Sequence, residues 1–293
     1  MGDHDIEDVV ADIWPGMPLT ISALEGGITN RNFKVDLGEE AYVVRIAGSE
    51  TALLGIDRGV EAQAARRAAS LGVGPEVVAG RGDEGYLVTR FVAGLVGTPE
   101  LLKAPQSIDE IARLLQIFHS GPGLASTFDP FQIVGRYREI ASSRGVEISR
   151  RCSLAIESVD RIKRSLSKRA AVPCHNDLLP GNFILGQGRI WLIDWEYAAM
   201  GDPYFDLANV SINNDFGAPE IARLLLAYCG SDGVVERREL ALMQYVSLLR
   251  EAMWGVVQQG ISTLEFDFEG YAGEHLDRLE QLVHKPELRA VLG

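Results

Sequence analysis

Cysteine is scarce in this chain: three among 293 residues, Cys152, Cys174 and Cys229. They are far apart and odd in number, which excludes a disulfide framework and the close pairs of a zinc site. We expect small buried thiols in a reducing cytoplasm. Long apolar runs are missing as well. None approaches the ~20 residues that a membrane span needs, so no membrane insertion is expected. The opening segment MGDHDIEDVV is acidic and has no apolar core, so it does not read as a signal peptide. Positive charge is in short supply, with 28 Lys and Arg against 41 Asp and Glu and a net charge of −13. That argues against nucleic acid as a partner, because phosphate-backbone binding needs basic surface. It is compatible with a cationic small molecule. No long segment is of low complexity. At 46% hydrophobic and 24% charged, the chain has enough apolar residues for a large core, in two lobes rather than one.

What the chain does have is concentrated in its second half. Cys174-His175-Asn176-Asp177-Leu178-Leu179-Pro180-Gly181-Asn182 is followed by Phe183-Ile184-Leu185 and then by Ile190-Trp191-Leu192-Ile193-Asp194. Pro180 and Gly181 keep Asp177 and Asn182 out of a helix. The two apolar runs flank Gly186-Gln187-Gly188-Arg189, which reads as a β-hairpin. A hairpin returns the chain to its start, so Asp194 is expected near Asn182. Two carboxylates and a carboxamide then converge. Such a set suits a hard cation such as Mg²⁺, which takes few protein oxygens and leaves room for phosphate. It leaves Asp177 to accept a proton from a hydroxyl.

The strings HNDLLPGN and LIDWEYA resemble the choline/ethanolamine kinase family, a branch of the aminoglycoside-phosphotransferase superfamily with a protein-kinase-like fold. The resemblance implies an α+β, two-lobe protein: residues 1–93 as a nucleotide-covering lobe of antiparallel sheet plus one helix, and residues 94–293 as a larger, mainly helical lobe. It implies ATP and Mg²⁺ as cofactors and a small amino alcohol as acceptor, choline first or ethanolamine. Asp177 takes the family's catalytic position, and Asn182 and Asp194 take its metal positions, the division of labour found in protein kinases. Other small-alcohol kinases, for thiamine or aminoglycosides, stay open as readings. So does a non-catalytic nucleotide-binding protein on the same scaffold.

Along the chain, helix is expected over 6–13 and strand over 19–24. The string Gly26-Gly27-Ile28-Thr29-Asn30-Arg31-Asn32 follows. Its glycine pair suits a hairpin turn, and it equally lets backbone N–H groups approach phosphate. It resembles the family's nucleotide-covering loop, which implies Gly26, Gly27, Thr29, Asn30 and Asn32 at the nucleotide. Strands are expected at 33–37 and 42–46. Arg45 near the end of the second implies a phosphate contact, in a place where relatives carry Lys or Arg. A helix over 57–71 carries Glu61 in its first turn, and the family's ion pair would be Glu61–Arg45. Strands at 77–79 and 86–91 lead to Phe91-Val92-Ala93-Gly94, which resembles the inter-lobe hinge. Ser107-Ile108-Asp109-Glu110 has the form of a capping box opening a helix to His119. Further helices are expected at 132–143, 152–168, 219–229, 236–259 and 268–284. Asp206, in Gly201-Asp202-Pro203-Tyr204-Phe205-Asp206, is implied to brace the catalytic loop, and His175 to orient it.

Trp254 and Tyr271 lie in settings that resemble the choline-kinase segments whose rings box a quaternary ammonium. A cation over such rings gains roughly 0.5–2 kcal/mol per contact. With them Glu196, two residues past Asp194, is implied at the substrate. One departure stands out: where eukaryotic relatives place an acidic residue to face the cation, this chain has Asn213, with Asp215 two residues on.

Overall fold

The computed structural model describes residues 5–24, 30–48, 51, 53–80 and 84–293. Helix α1 (Ile6–Ile13) precedes strands β1 (Thr20–Leu24), β2 (Asn30–Leu37) and β3 (Glu40–Ala47). Helix α2 (Arg58–Ser70) follows, then β4 (Val77–Ala79) and β5 (Tyr86–Arg90). Among the described residues the strands form an antiparallel sheet in the order β1-β2-β3-β5-β4. Alternation in β3 puts Tyr42, Val44 and Ile46 on one face. There they pack with Val35 and Val88 against Ile6, Val9, Val10 and Trp14. Helix α1 spans the expected residues 6–13, so the described part of residues 1–93 holds two helices rather than the one the family outline implies.

The sheet's other helix belongs energetically to the large lobe. Asp57 caps α2 by accepting from Gly59 N at 2.9 Å and Val60 N at 3.1 Å. The buried face of α2 (Val60, Ala64, Ala65, Ala68) joins the same core as the large-lobe helices. That shared core fixes how the lobes meet.

The large lobe begins with a short strand β6 (Leu95–Val96), α3 (Pro99–Leu102) and α4 (Pro105–His119). The capping box does not open α4. Pro105 occupies the first helical position, Ala104 is the cap without a side-chain bond, and Ser107 lies inside the helix. A proline there is pre-set for helix and lacks only an N–H that would have no partner anyway. Then come α5 (Pro130–Ser143), α6 (Arg150–Glu157) and α7 (Val159–Ser165). The single helix expected over 152–168 is broken at Ser158.

Next are β7 (Val172–Cys174), β8 (Phe183–Gly186), β9 (Arg189–Leu192) and β10 (Ala199–Gly201). Helices α8 (Pro203–Asn213), α9 (Ala218–Cys229), α10 (Val234–Ile261), α11 (Phe268–Leu282) and α12 (Pro286–Leu292) complete the lobe. Strands β8 and β9 are the expected hairpin, closed by Gln187 and Gly188 at φ 57° and 76°, the left-handed pair of a tight two-residue turn. Cys152 and Cys174 are buried and Cys229 is half-buried, all as free thiols. No helix among the described residues is long and apolar enough to cross a membrane.

The hinge strand β6 lies on the hairpin, pairing Leu95 with Leu185 and Val96 with Ile184. Backbones approach so closely here that a Cβ on Gly94 would stand 2.6 Å from Leu185 O and 2.9 Å from Gly186 Cα. Gly94→Ala must push the hinge off the hairpin, and we expect a loss of roughly 1–3 kcal/mol of stability by the usual cost of overpacking. Urea unfolding checks it; an unchanged midpoint refutes the close approach.

Candidate active site

The loop from His175 to Asn182 is shaped from behind. Asp206, in the first turn of α8, has no exposed surface. Its two oxygens accept from His175 N and Asn176 N, each at 2.7 Å, and His119 Nε2 lies 3.0 Å from it. These bonds hold Asn176 at φ 66°, a left-handed turn that asparagine tolerates. Asn209, one turn along α8, accepts from Leu178 N and donates to Ser247 Oγ at 3.2 Å. His175 Nδ1 accepts from Asp177 N at 3.3 Å, so Nε2 carries the proton and donates to Ile193 O at 3.0 Å. Burial pushes the His175 pKa down, which keeps the ring neutral and suits this role. His119, expected only as a helix-terminal residue, proves to be part of the brace, with its Nδ1 2.6 Å from Tyr228 Oη.

Asp177 is buried, and desolvation pushes its carboxyl pKa well above the usual carboxylate range. Arg250 opposes that shift, while Glu251 and Asp194 add to it. Asn182 Nδ2 donates to Asp177 O at 2.7 Å and lies 3.3 Å from Asp177 Oδ2. That turns the Asn182 amide so that its oxygen is the atom left for a ligand. Ile193 N donates to Asn182 O at 3.0 Å, which brings Asp194 back beside Asn182 as the hairpin predicts. Asp194 stands at φ 64°, and its side chain keeps 26% exposure. The oxygen of Asn182 and the carboxylate of Asp194 are hard donors facing one cleft. They fit a small divalent cation that keeps several waters or phosphate oxygens.

Arg45, on β3, pairs with Asp194 and lies 3.1 Å from Glu61, so the expected Glu61–Arg45 ion pair is present. A residue the sequence did not single out completes the network. Arg58 binds Glu61 at 2.7 Å, Glu196 at 3.2 Å and Asn30 Oδ1 at 2.8 Å, while Asn30 donates to Glu196 at 2.9 Å. Glu196, expected at the acceptor, thus has its carboxylate between two small-lobe side chains. Gly26, Gly27 and Thr29 lie outside the described residues; Asn32 lines the cleft.

The cleft has a volume of about 670 Å³, within the range of small-molecule sites. It runs from the hinge, at Phe91 and Val92, past Asp177, Asn182 and Asp194 to Trp254 and Tyr271. The structure brings the two expected aromatics together, with ring centroids 5.4 Å apart at 64°. Close contact between α10 and α11 permits this: a Cβ on Gly255 would stand 3.0 Å from Phe268 O and from Tyr271 Cδ1.

Sequence reasoning missed the residues beside the rings. Arg250 is buried, with Nη1 2.5 Å from Glu251 Oε1 and 3.5 Å from Asp177 Oδ1. Its guanidinium lies 4.4 Å from the Tyr197 ring centroid. Tyr271 Oη donates to Glu251 Oε2 at 2.9 Å. A signal was available: an Arg-Glu pair stands inside the apolar string Leu248-Leu249-Arg250-Glu251-Ala252-Met253, and charged residues are almost never buried without a purpose. Asn213 and Asp215 are not among the residues that line the cleft, and Asp215 pairs with Arg278 at 3.0 Å.

Residues 20–243 match the phosphotransferase enzyme family. Protein LicA of Haemophilus influenzae is 26% identical over 224 residues, 74% of this chain and 65% of that protein. The matched stretch thus spans less than two thirds of that relative's length. Ethanolamine kinase 1 of Mus musculus is 26% identical over 323 aligned residues, 95% of this chain and 87% of that one. Among solved structures, a choline/ethanolamine kinase family protein from Mesorhizobium loti superposes with a TM-score of 0.83 at 29% identity, covering 98% of this chain and 97% of that one. The family match spans most of the chain, and the chain belongs to the phosphotransferase enzyme family.

Proposed function

We propose that the protein transfers the γ-phosphoryl group of ATP to the hydroxyl of a small amino alcohol of the choline or ethanolamine kind. One observation carries the reading: Asp177, Asn182 and Asp194 converge in a cleft that has Arg45 on its small-lobe side and the Trp254–Tyr271 corner at its far end. The relatives support the same class, since those described above include an ethanolamine kinase and a choline/ethanolamine kinase family protein.

In this reading the nucleotide lies under the small-lobe sheet. Gly26, Gly27, Thr29, Asn30 and Asn32 contact the phosphates, and Phe91 and Val92 lie at the base end. Arg45 bears phosphate charge and is aimed by Glu61. Asn182 and Asp194 would hold Mg²⁺, which when bound would neutralise charge on the phosphates. Asp177 orients the acceptor hydroxyl and takes its proton. The acceptor oxygen forms its bond to the γ-phosphorus, the bond from that phosphorus to the β–γ bridging oxygen breaks, and ADP leaves. Burial raises the Asp177 pKa, which makes the ionised carboxylate a stronger proton acceptor. Trp254 and Tyr271 receive the acceptor's cationic end. Glu196, held by Arg58 and Asn30, stands at the border of the two half-sites.

ADP release from ATP and Mg²⁺ with choline, ethanolamine, thiamine and an aminoglycoside tests the assignment. Asp177→Ala is expected to keep nucleotide binding and lose at least about 10²-fold in turnover, the scale of a positioned general base. Chelation of divalent ions is expected to stop turnover. Equal activity in mutant and parent overturns the role of Asp177, and turnover only on thiamine or an aminoglycoside overturns the acceptor class.

The same burial makes a stability prediction. A carboxyl whose folded pKa is raised binds its proton more tightly in the folded state. Its ionisation therefore lowers stability as pH climbs above the unfolded value of about 4. Asp177→Asn removes that charge and leaves Arg250 paired with Glu251. We expect the unfolding free energy at pH 7 to rise by on the order of 1 kcal/mol, with the difference shrinking towards pH 4. Denaturant unfolding at the two pH values measures it; a variant less stable than the parent at pH 7 contradicts it.

A further inference from the structure

The cleft carries a carboxylate at the acceptor end that the motifs did not indicate. Glu251 precedes Trp254 by three residues on α10, so both lie on one face of that helix. The other cleft carboxylates have partners or roles elsewhere. Asp194 meets Arg45, Glu196 meets Arg58 and Asn30, and Asp177 faces the hydroxyl. Glu251 alone among them touches the aromatic corner, accepting from Tyr271 Oη at 2.9 Å.

The corner is a shallow box for a cation that offers no hydrogen bonds. Trp254 and Tyr271 meet edge to face, 5.4 Å apart at 64°. His275 covers part of Tyr271, with ring centroids 4.3 Å apart, and Phe268 packs on Trp254 at 5.9 Å. Ring faces that already carry neighbours are lost to a ligand. The Arg250 guanidinium stands 2.5 Å from Glu251, so an incoming cation must share that carboxylate with a fixed positive charge. A quaternary ammonium has no donor with which to claim a share. An ammonium with N–H bonds has up to three, and a carboxylate accepts about four hydrogen bonds. Glu251 has two accepted bonds, one from Arg250 and one from Tyr271. Charge-assisted N–H to carboxylate bonds are the strong kind.

Resting on the phosphotransfer reading above, we propose that Glu251, held between Arg250 and Tyr271, is the specificity-determining carboxylate of the acceptor end. It favours an amino alcohol whose ammonium carries N–H bonds over a quaternary one. Arg250 is its positioning residue: one nitrogen, Nη1, lies 2.5 Å from Glu251 Oε1 and 3.5 Å from Asp177 Oδ1, and so sets the carboxylate that binds the acceptor relative to the one that takes its proton.

The test is steady-state kinetics on ethanolamine, N,N-dimethylethanolamine and choline, with the parent protein, E251Q and E251D. The parent is expected to show kcat/KM falling from ethanolamine to choline by about tenfold or more, the net worth of one hydrogen bond to a charged group. In E251Q that ratio should collapse towards one, with the change carried by KM for ethanolamine, and E251D should restore part of it. The parent's ranking needs no variant, so it stands even where E251Q fails to fold. A parent preference for choline, or a ratio that E251Q leaves unchanged, overturns the inference and leaves the phosphotransfer reading intact. Turnover of none of the three acceptors, with nucleotide still bound, overturns the amino-alcohol reading on which the inference rests.

Discussion

The whole site hangs on the carboxylate of Asp206. A loop that must present Asp177 and Asn182 to one point cannot be helix or strand, so its backbone amides lack regular partners. Buried amides left unpaired cost free energy comparable to a lost hydrogen bond. Asp206 accepts two of them in succession, from His175 and Asn176, and Asn209 takes the amide of Leu178. Both come from α8, three residues apart and both buried in the large-lobe core. The loop's geometry is therefore set by the rigidity of a helix rather than by its own sequence. His119 and Tyr228 extend the brace outward.

Electrostatics divides the cleft in two. On the small-lobe side Arg45 and Arg58 alternate with Glu61, Glu196 and Asp194. On the acceptor side Arg250 stands between Asp177 and Glu251. Each arginine serves more than one carboxylate, and the guanidinium fork makes that possible where an ammonium would serve as a single point charge. Carboxylates outnumber arginines, five to three, among these residues. Burial offsets part of that excess by raising the Asp177 and Glu196 pKa values, and a bound cation would offset more of it.

The elements legible in the sequence were those defined over short spans. The catalytic loop, the hairpin, the Asp57-capped helix and the strands around Arg45 each follow from spacing within ten or fifteen residues. The Glu61–Arg45 pair was legible through the family resemblance rather than through spacing. Two local signals misled. Pro105 outcompeted the Ser107 box for the helix start, and Ser158 breaks a helix with no glycine or proline to announce it. Arg58 and Arg250 escaped notice for a different reason. Their meaning lies in partners 138 and 73 residues away, and no local pattern reports such distances. Glu196 shows the same limit from the other direction: its neighbour Asp194 placed it correctly in the cleft, but not with Arg58 and Asn30.

The two ends of the cleft are built differently, and that bears on what each can discriminate. The small-lobe end is lined by sheet residues, among them Leu24, Asn32, Val43 and Thr89. The acceptor end is made by two helices, α10 and α11, that touch through Gly255. Side chains on a helix sit at fixed angular steps, so replacing one residue at position 251 or 254 changes the chemistry of the wall without moving it. A scaffold of this kind can alter its acceptor through point substitutions on one helical face while Asp206 keeps the reacting groups in register. The buried Arg250–Glu251 pair limits that freedom: removing Arg250 leaves Glu251 buried without its counter-charge, while removing Glu251 leaves Arg250 with Asp177 at 3.5 Å. Glu251 is therefore expected to tolerate exchange better than Arg250, and the ring positions can vary singly.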